Sequence, residues 1–358
     1  MNQALELGNL PEWNLDDLYP GQDSPELKSA ISGLEADAKL FQESFEGKVS
    51  GLSGDDLGAA VAGFEAMQDV MGRIGSYAGL LYTTNIGDAD IAQFYQGTQE
   101  TLTDIGTHML FFTLEINRID DNELEAKLAS PALDRYQPWV REVRMFRDHQ
   151  LSDEAERLLH EKSVSGPSAW VRLFDETIAR LRFTVDGAQL TEEECLHLLS
   201  GKDAQNRQKA ASALTEVFDE NAPLFALITN TLAKDKEVED RWRGYASPAA
   251  PRHLGNQVEP EVVEALVEAV RNSYASLSHR YYALKAEWMG VSQLNFWDRN
   301  APLPEDDDSV VPWNRAQDTV IEAYREFSPA LASLGQRFFD GNWIDAPVKQ
   351  GKQGGAFS

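Results

Sequence analysis

Cysteine is almost missing from this chain. Cys195 is the only one among 358 residues, so no intramolecular disulfide can form. A chain of this size without disulfides fits a reducing compartment, and Met1 to Asn14 carries neither a basic leader nor an apolar core region, so the expected location is cytoplasmic. Long hydrophobic runs are missing too. The apolar stretches at Tyr77–Tyr82 and Met109–Phe112 fall far short of the ~18 residues that would argue for a membrane span. Positive charge is scarce: 32 basic against 59 acidic side chains give a net charge of −27. Nucleic-acid backbones and anionic lipid surfaces would repel such a chain, which argues against either as its main partner.

Complete catalytic signatures are also lacking. There are six histidines: His108, His149, His160, His197, His253 and His279. A zinc-protease helix needs two histidines four apart, with the glutamate after the first as general base. His160-Glu161 begins such a motif, but position 164 is Val164, and Leu158-Leu159 beside it fits an ordinary amphipathic helix. Glu194-x-x-His197 has di-iron spacing, yet there is no second Glu-x-x-His to complete a di-iron site. Glu192, Glu193 and Glu194 would raise the pKa of the Cys195 thiol, the wrong direction for a nucleophile, so Cys195 reads as a small core residue. No Gly-x-Ser-x-Gly elbow or phosphate loop occurs; Gly-Lys at Gly47, Gly201 and Gly351 stands without the rest of the motif. Asp306-Asp307-Asp308 lacks the alternation of a calcium loop and reads as a solvated turn. The aromatics Trp288, Phe296, Trp297, Trp313, Phe338, Phe339 and Trp343 fit core or inter-helix packing better than a ligand groove.

What is present is helical periodicity. Ser24-Pro25 reads as an N-cap and first helical residue, opening a helix to about Phe45. Further helices are expected over 55–82, 88–118, 121–129 and 131–147, from Ser152, and over 168–182. Asp186-Gly187 between β-formers predicts a hairpin over Phe183–Leu190, and Thr191 with Glu194 then makes a capping box. Two stripes follow, Ala210–Phe218 and Leu224–Leu232, the second helix ending at Arg243-Gly244-Tyr245. One long helix is expected from Pro260 to Met289, a solvated connection over 294–312, and helices over 314–327 and 329–339. The fold class is therefore mainly α. A boundary near the hairpin gives an N-terminal helical domain, 1–190, and a second domain, 191–358.

Blocks of sequence then add a family. They are Trp13-Asn14-Leu15-Asp16-Asp17-Leu18-Tyr19; Tyr136 through Leu151–Glu156 to Ala169-Trp170 and Leu173-Phe174; the hairpin Phe183–Leu190; Arg243-Gly244-Tyr245; Tyr281-Tyr282 leading to Trp297-Asp298; and Trp343-Ile344-Asp345 followed by Lys352 and Gly355-Ala356-Phe357-Ser358. In this order they resemble the oligoendopeptidase F branch of the thimet-oligopeptidase-like zinc metallopeptidases, over nearly the whole chain. The resemblance implies a helical shell around a substrate channel, with zinc held by a His-Glu-x-x-His helix and a downstream glutamate. Those elements lie beyond the block matching Gly355–Ser358. The resemblance thus implies the N-terminal part of a zinc endopeptidase acting on short oligopeptides, with a C-terminal catalytic portion as missing partner, and with no catalytic or metal-binding residue carried over. The alternative is a non-catalytic helical peptide-binding module. The family's strand beside the cleft implies a substrate-binding role for Gly354, Gly355, Ala356 and Phe357, against the plainer expectation of a loose tail. Apolar stripes that pack on a missing half should be exposed.

Overall fold

A computed structural model describes residues 7–305 and 309–354. The fold is mainly α, and a single two-stranded sheet accompanies the helices among the described residues. The first half is built from α1 (Pro25–Phe45), α2 (Gly54–Thr84), α3 (Ala89–Thr107), α4 (Leu110–Arg118), α5 (Asp121–Leu128) and α6 (Gln137–Met145). The Ser24 hydroxyl accepts from Leu27 N at 3.2 Å, which satisfies one of the free donors at the start of α1. α1 and α2 pack together, α3 lies against both, and α4 against α6. Leu27, Leu34 and Phe41 of α1 meet Leu57, Phe64 and Ile74 of α2, with Phe112, Leu133 and Val140, in one core. Phe112 stands edge-on to Phe41 at 5.1 Å and beside Phe64 at 5.2 Å.

Helices α7 (Asp153–Lys162) and α8 (Pro167–Arg180) lead to β1 (Phe183–Val185) and β2 (Ala188–Leu190), paired antiparallel with Phe183 opposite Leu190. Asp186 (φ 51°) and Gly187 (φ 81°) both take the left-handed conformation that a two-residue hairpin turn demands, which is why Asp-Gly stands there. The Thr191–Glu194 capping box then opens α9 (Glu192–Leu198). Phe183, Val185 and Cys195 pack on Ala210, Ala213 and Leu214 of α10 (Ala204–Arg243) in a second core. The remaining helices are α11 (Ala250–Gly255), α12 (Pro260–Ser273), α13 (Ser278–Trp288), α14 (Trp313–Phe327) and α15 (Pro329–Asp340).

Several boundaries differ from the sequence reading. The expected helix 88–118 breaks at His108-Met109 into α3 and α4. The two stripes around Pro223 form one 40-residue helix instead; the Asn221 carboxamide donates to Val217 O at 2.8 Å in the disturbed turn, and the helix continues to Gly244 in the left-handed conformation. The stretch 131–147 opens with a 3-10 turn over Pro131–Tyr136 before α6. The long helix from Pro260 divides at 274–277, where the Ser273 and Ser276 hydroxyls bond to the Ala269 and Ser273 carbonyls and compete with the helix's own hydrogen bonding.

Candidate functional site

The segment after α15 holds the candidate site. Asn342 (φ 51°) turns the chain, and the Trp343 indole donates to Asp17 Oδ2 at 2.9 Å with Phe338 edge-on at 5.4 Å. From there the chain runs as a strap back over the N-terminal half. Asn14 N donates to Asn342 O (2.8 Å), Ala346 N to Pro11 O (2.9 Å), Ile86 N to Gly351 O (2.7 Å) and Gln353 N to Thr83 O (2.9 Å). Lys352 folds back so that Nζ donates to the Asp345 and Pro347 carbonyls at 2.8 Å and lies 3.2 Å from the Asp345 carboxylate. Backbone pairs and Trp343 therefore pin the segment from Asn342 as far as Gln353.

Gly351 has φ 80° and a side-chain carbon there would strike Asn85, so glycine is required twice over. A side-chain carbon at Gly354 would strike the Glu193 carboxylate. Gly351 and Gln353 are bonded to residues 83–86, while the Lys352 carbonyl and the Gly354 N–H meet no partner among the described residues.

Beside this edge opens a cleft of about 360 Å³ between α8, the start of α9 and the strap, lined by Phe174, Asp175, Ile178, Glu192, Glu193 and Gly354 among others. Burial holds the Asp175 carboxyl above its ordinary range; burial and the neighbouring Glu193 charge do the same to Glu192. Behind it Tyr82 stacks on Tyr95 at 4.4 Å. Among the described residues the buried Tyr82 hydroxyl meets no hydrogen-bond partner, and burial, with the Glu176 and Asp175 charges, pushes it up to about 12. The carboxylates of its lining favour positive over negative groups.

Of the residues expected at the site, Gly354 lies in the cleft, while Gly355, Ala356 and Phe357 lie outside the described residues, as do Asp306–Asp308. His160 joins two helices: its Nε2 faces Thr103 O at 2.9 Å, and its ring packs over Gly106. Glu194 is engaged in its capping box. Cys195 is fully buried, with Sγ 3.5 Å from Ala210 O, and its thiol is pushed up to about 11; the cause is burial rather than the neighbouring glutamates. The aromatic expectation holds for Trp313 against Phe339 and for Phe338 against Trp343, but Phe296 and Trp288 are 70% and 51% exposed. Asp175, Glu192 and Tyr82 were not singled out as site residues in the sequence. They lie on three separate elements, and no local spacing announces them.

Helical layers flank a cleft edged by the strap, and the comparisons are with oligopeptidases. A family profile described as Oligopeptidase F matches residues 115–183. Oligopeptidase PepF of Bacillus subtilis is 24% identical over 363 residues, covering 97% of this chain and 52% of the relative. Group B oligopeptidase PepB of Streptococcus agalactiae is 26% identical over 267 residues, 69% of this chain and 42% of the relative. Among solved structures, oligoendopeptidase-F from Enterococcus faecium superimposes with a TM-score of 0.71 at 20% identity, over 88% of this chain and 64% of that one. PZ peptidase A, solved with an inhibitor, gives 0.68 at 15% identity, over 96% and 58%. In sequence and in fold the chain is thus similar to the oligoendopeptidase F branch, and it spans about half the length of the curated relatives it matches.

Proposed function

We propose that this chain is the N-terminal part of a zinc-dependent endopeptidase that hydrolyses short oligopeptides in the cytoplasm, inactive until joined to a C-terminal catalytic portion. The observation that carries the reading is the strap: matches to an oligopeptidase run along 97% of the chain, and its last described residues lie along a cleft with a backbone edge open. A peptide of any sequence can pair with such an edge, so the strap contributes affinity without side-chain selection. No helix among the described residues is long and apolar enough to cross a membrane.

Among the described residues no group of three or more His, Cys, Asp or Glu is placed to hold a metal ion. The catalytic portion has a surface to pack on. Val262, Leu266 and Val270 of α12 and Tyr274 just after it are 54%, 63%, 46% and 46% exposed, and Trp288 of α13 is 51% exposed.

A second reading, a non-catalytic helical peptide-binding module, is favoured by the same open edge. The test measures zinc by elemental analysis and cleavage of a quenched fluorescent oligopeptide, first on this chain, then after it is mixed with the C-terminal portion of the Bacillus subtilis relative. Activity that appears only on mixing supports the peptidase reading. Chelator-sensitive turnover by this chain alone sinks the idea of an inactive part, and peptide binding that never turns into cleavage supports the module.

A further inference from the structure

Between α1 and α2 runs a groove of about 880 Å³, floored by the core residues Leu34, Phe41 and Met67, that the peptidase reading does not use. Ala30, Gly33 and Leu40 of α1 line it with Gly63, Ala66 and Val70 of α2. From Glu26 to Ser44 its α1 wall covers 18 helical rises, or about 27 Å, five turns of one helix face. Leu40 is 62% exposed along it.

Two glycines in these walls have no internal reason to be there. Neither Gly33 nor Gly63 has positive φ; a side-chain carbon at Gly33 would meet nothing within 4 Å, and at Gly63 only Phe41 Cε2 at 3.9 Å. Glycine inside a helix destabilises it relative to alanine. What the bare positions provide is depth, letting another helix approach closely. The rim is acidic, with Asp16, Glu26 and Asp37. The cation among the described lining residues is Arg73, and it is engaged: it donates to the Asp17 and Leu18 carbonyls and lies 5.4 Å over the Tyr19 ring.

We infer that this groove docks an amphipathic helix with a lysine- or arginine-rich flank, carried by another polypeptide. The occupant's apolar stripe fills the space over Gly33 and Gly63, and its basic flank meets Glu26 and Asp37. A second copy of this chain is a poor occupant, because two chains of charge −27 would bring the same acidic rim together.

The test is fluorescence anisotropy on the full chain at near-physiological salt. The probe is a labelled helix of about 18 residues with leucine at i, i+3, i+4 and i+7 and lysine elsewhere; a twin carries glutamate for lysine. Saturable one-to-one binding of the lysine peptide is expected, with none of the twin. Gly33→Trp fills the groove without changing charge and should weaken binding at least about tenfold with no fall in melting temperature. Asp37→Lys should weaken it severalfold, and Leu266→Glu, on the distant α12 stripe, should leave it unchanged. Should Gly33→Trp fail to fold, Gly63→Phe makes the same test from α2. The proposal is overturned if the groove-filling variants bind as well as the parent, if Leu266→Glu abolishes binding, or if the twin binds equally. Self-association that Gly33→Trp abolishes would replace the basic helix with a second copy.

Discussion

Arg207 on α10 and Asp298 in the 296–298 turn, 91 positions apart, form an ion pair almost sealed from water. Arg207 Nη2 lies 2.9 Å and Nε 3.1 Å from Asp298 Oδ1, with side chains 2% and 8% exposed. Every donor nearby has a target: Arg207 Nη1 reaches the Gly201 and Lys202 carbonyls, and Asn295 donates to Asp298 Oδ2. The pair fastens the Trp297-Asp298 turn to the start of the longest helix. Removing one partner leaves a buried charge alone, which typically costs about 3–5 kcal/mol. Arg207→Ala should therefore destabilise the protein by at least about 3 kcal/mol in urea unfolding, and the apolar double replacement Arg207→Met with Asp298→Leu should recover most of it. Additive losses in the double variant would contradict a coupled pair.

Acid should weaken the fold through the same contact. Burial raises the Asp298 carboxyl, but the Arg207 guanidinium and Asn295 outweigh it and hold the pKa below its ordinary value. Glu156 is also lowered: burial opposes the shift, and Arg243, bound at 2.7 and 2.9 Å, together with Leu151 N, reverses it. A depressed carboxylate pKa stabilises the folded state above the unfolded value and loses that contribution as pH falls through the folded one. Stability should then fall with acid below about pH 4, the ordinary carboxylate range. The double variant at 207 and 298 should lose less over that window in pH-dependent urea titrations.

Tyr82 sets the opposite limit. Its hydroxyl is buried without a partner among the described residues, and its pKa stands at about 12. A raised pKa contributes stability fully below the unfolded value and loses it as pH rises through the folded one, here between about pH 10 and 12. Tyr82→Phe removes a buried hydroxyl that bonds nothing while keeping the ring against Tyr95, so it should be neutral or stabilise by about 1 kcal/mol. A loss of more than about 1 kcal/mol in thermal unfolding would mean that the hydroxyl has a partner.

The stripe on α12 and α13 makes its own prediction. With Leu266 63% and Trp288 51% exposed, the chain alone should bind hydrophobic dyes or self-associate. Leu266→Glu should lower dye fluorescence while changing stability by no more than about 0.5 kcal/mol, the usual range for a surface site. A monodisperse, dye-silent parent would show that the stripe is not an unfilled interface.

How much of this could be read from the sequence depended on how local the physics was. The hairpin, the capping box at Thr191 and the left-handed Gly244 are encoded within a few residues, and each stands where its residues put it. The fold class was legible from helical periodicity. The two stripes suggested two helices, yet one 40-residue helix runs through Pro223, because packing along its length outweighs the single hydrogen bond that a proline removes. The division of α12 from α13 was missed because serine back-bonding at 273 and 276 leaves no mark in the apolar pattern. The site was the least legible part. Gly354 was found through family resemblance, whereas Asp175, Glu192 and Tyr82 come together only when α8, α9 and α2 are placed in space.

The strap carries the last prediction, because its geometry separates a structural role from a binding one. Gly351 needs its left-handed φ and lacks room beside Asn85, so Gly351→Ala should cost about 1–3 kcal/mol locally and speed hydrogen exchange at Ile86 and Gln353, the amides tied across the strap. Gly354 has an ordinary φ and meets only the end of a glutamate side chain. Gly354→Val should therefore leave global unfolding nearly unchanged while pushing the Glu193 carboxylate into the cleft and crowding the open peptide edge. Oligopeptide binding, followed by titration calorimetry, should weaken in Gly354→Val without any change in Ile86 exchange. If both variants lose binding only in proportion to strap loosening, the edge at Gly354 is a structural tether, and the peptide lies elsewhere.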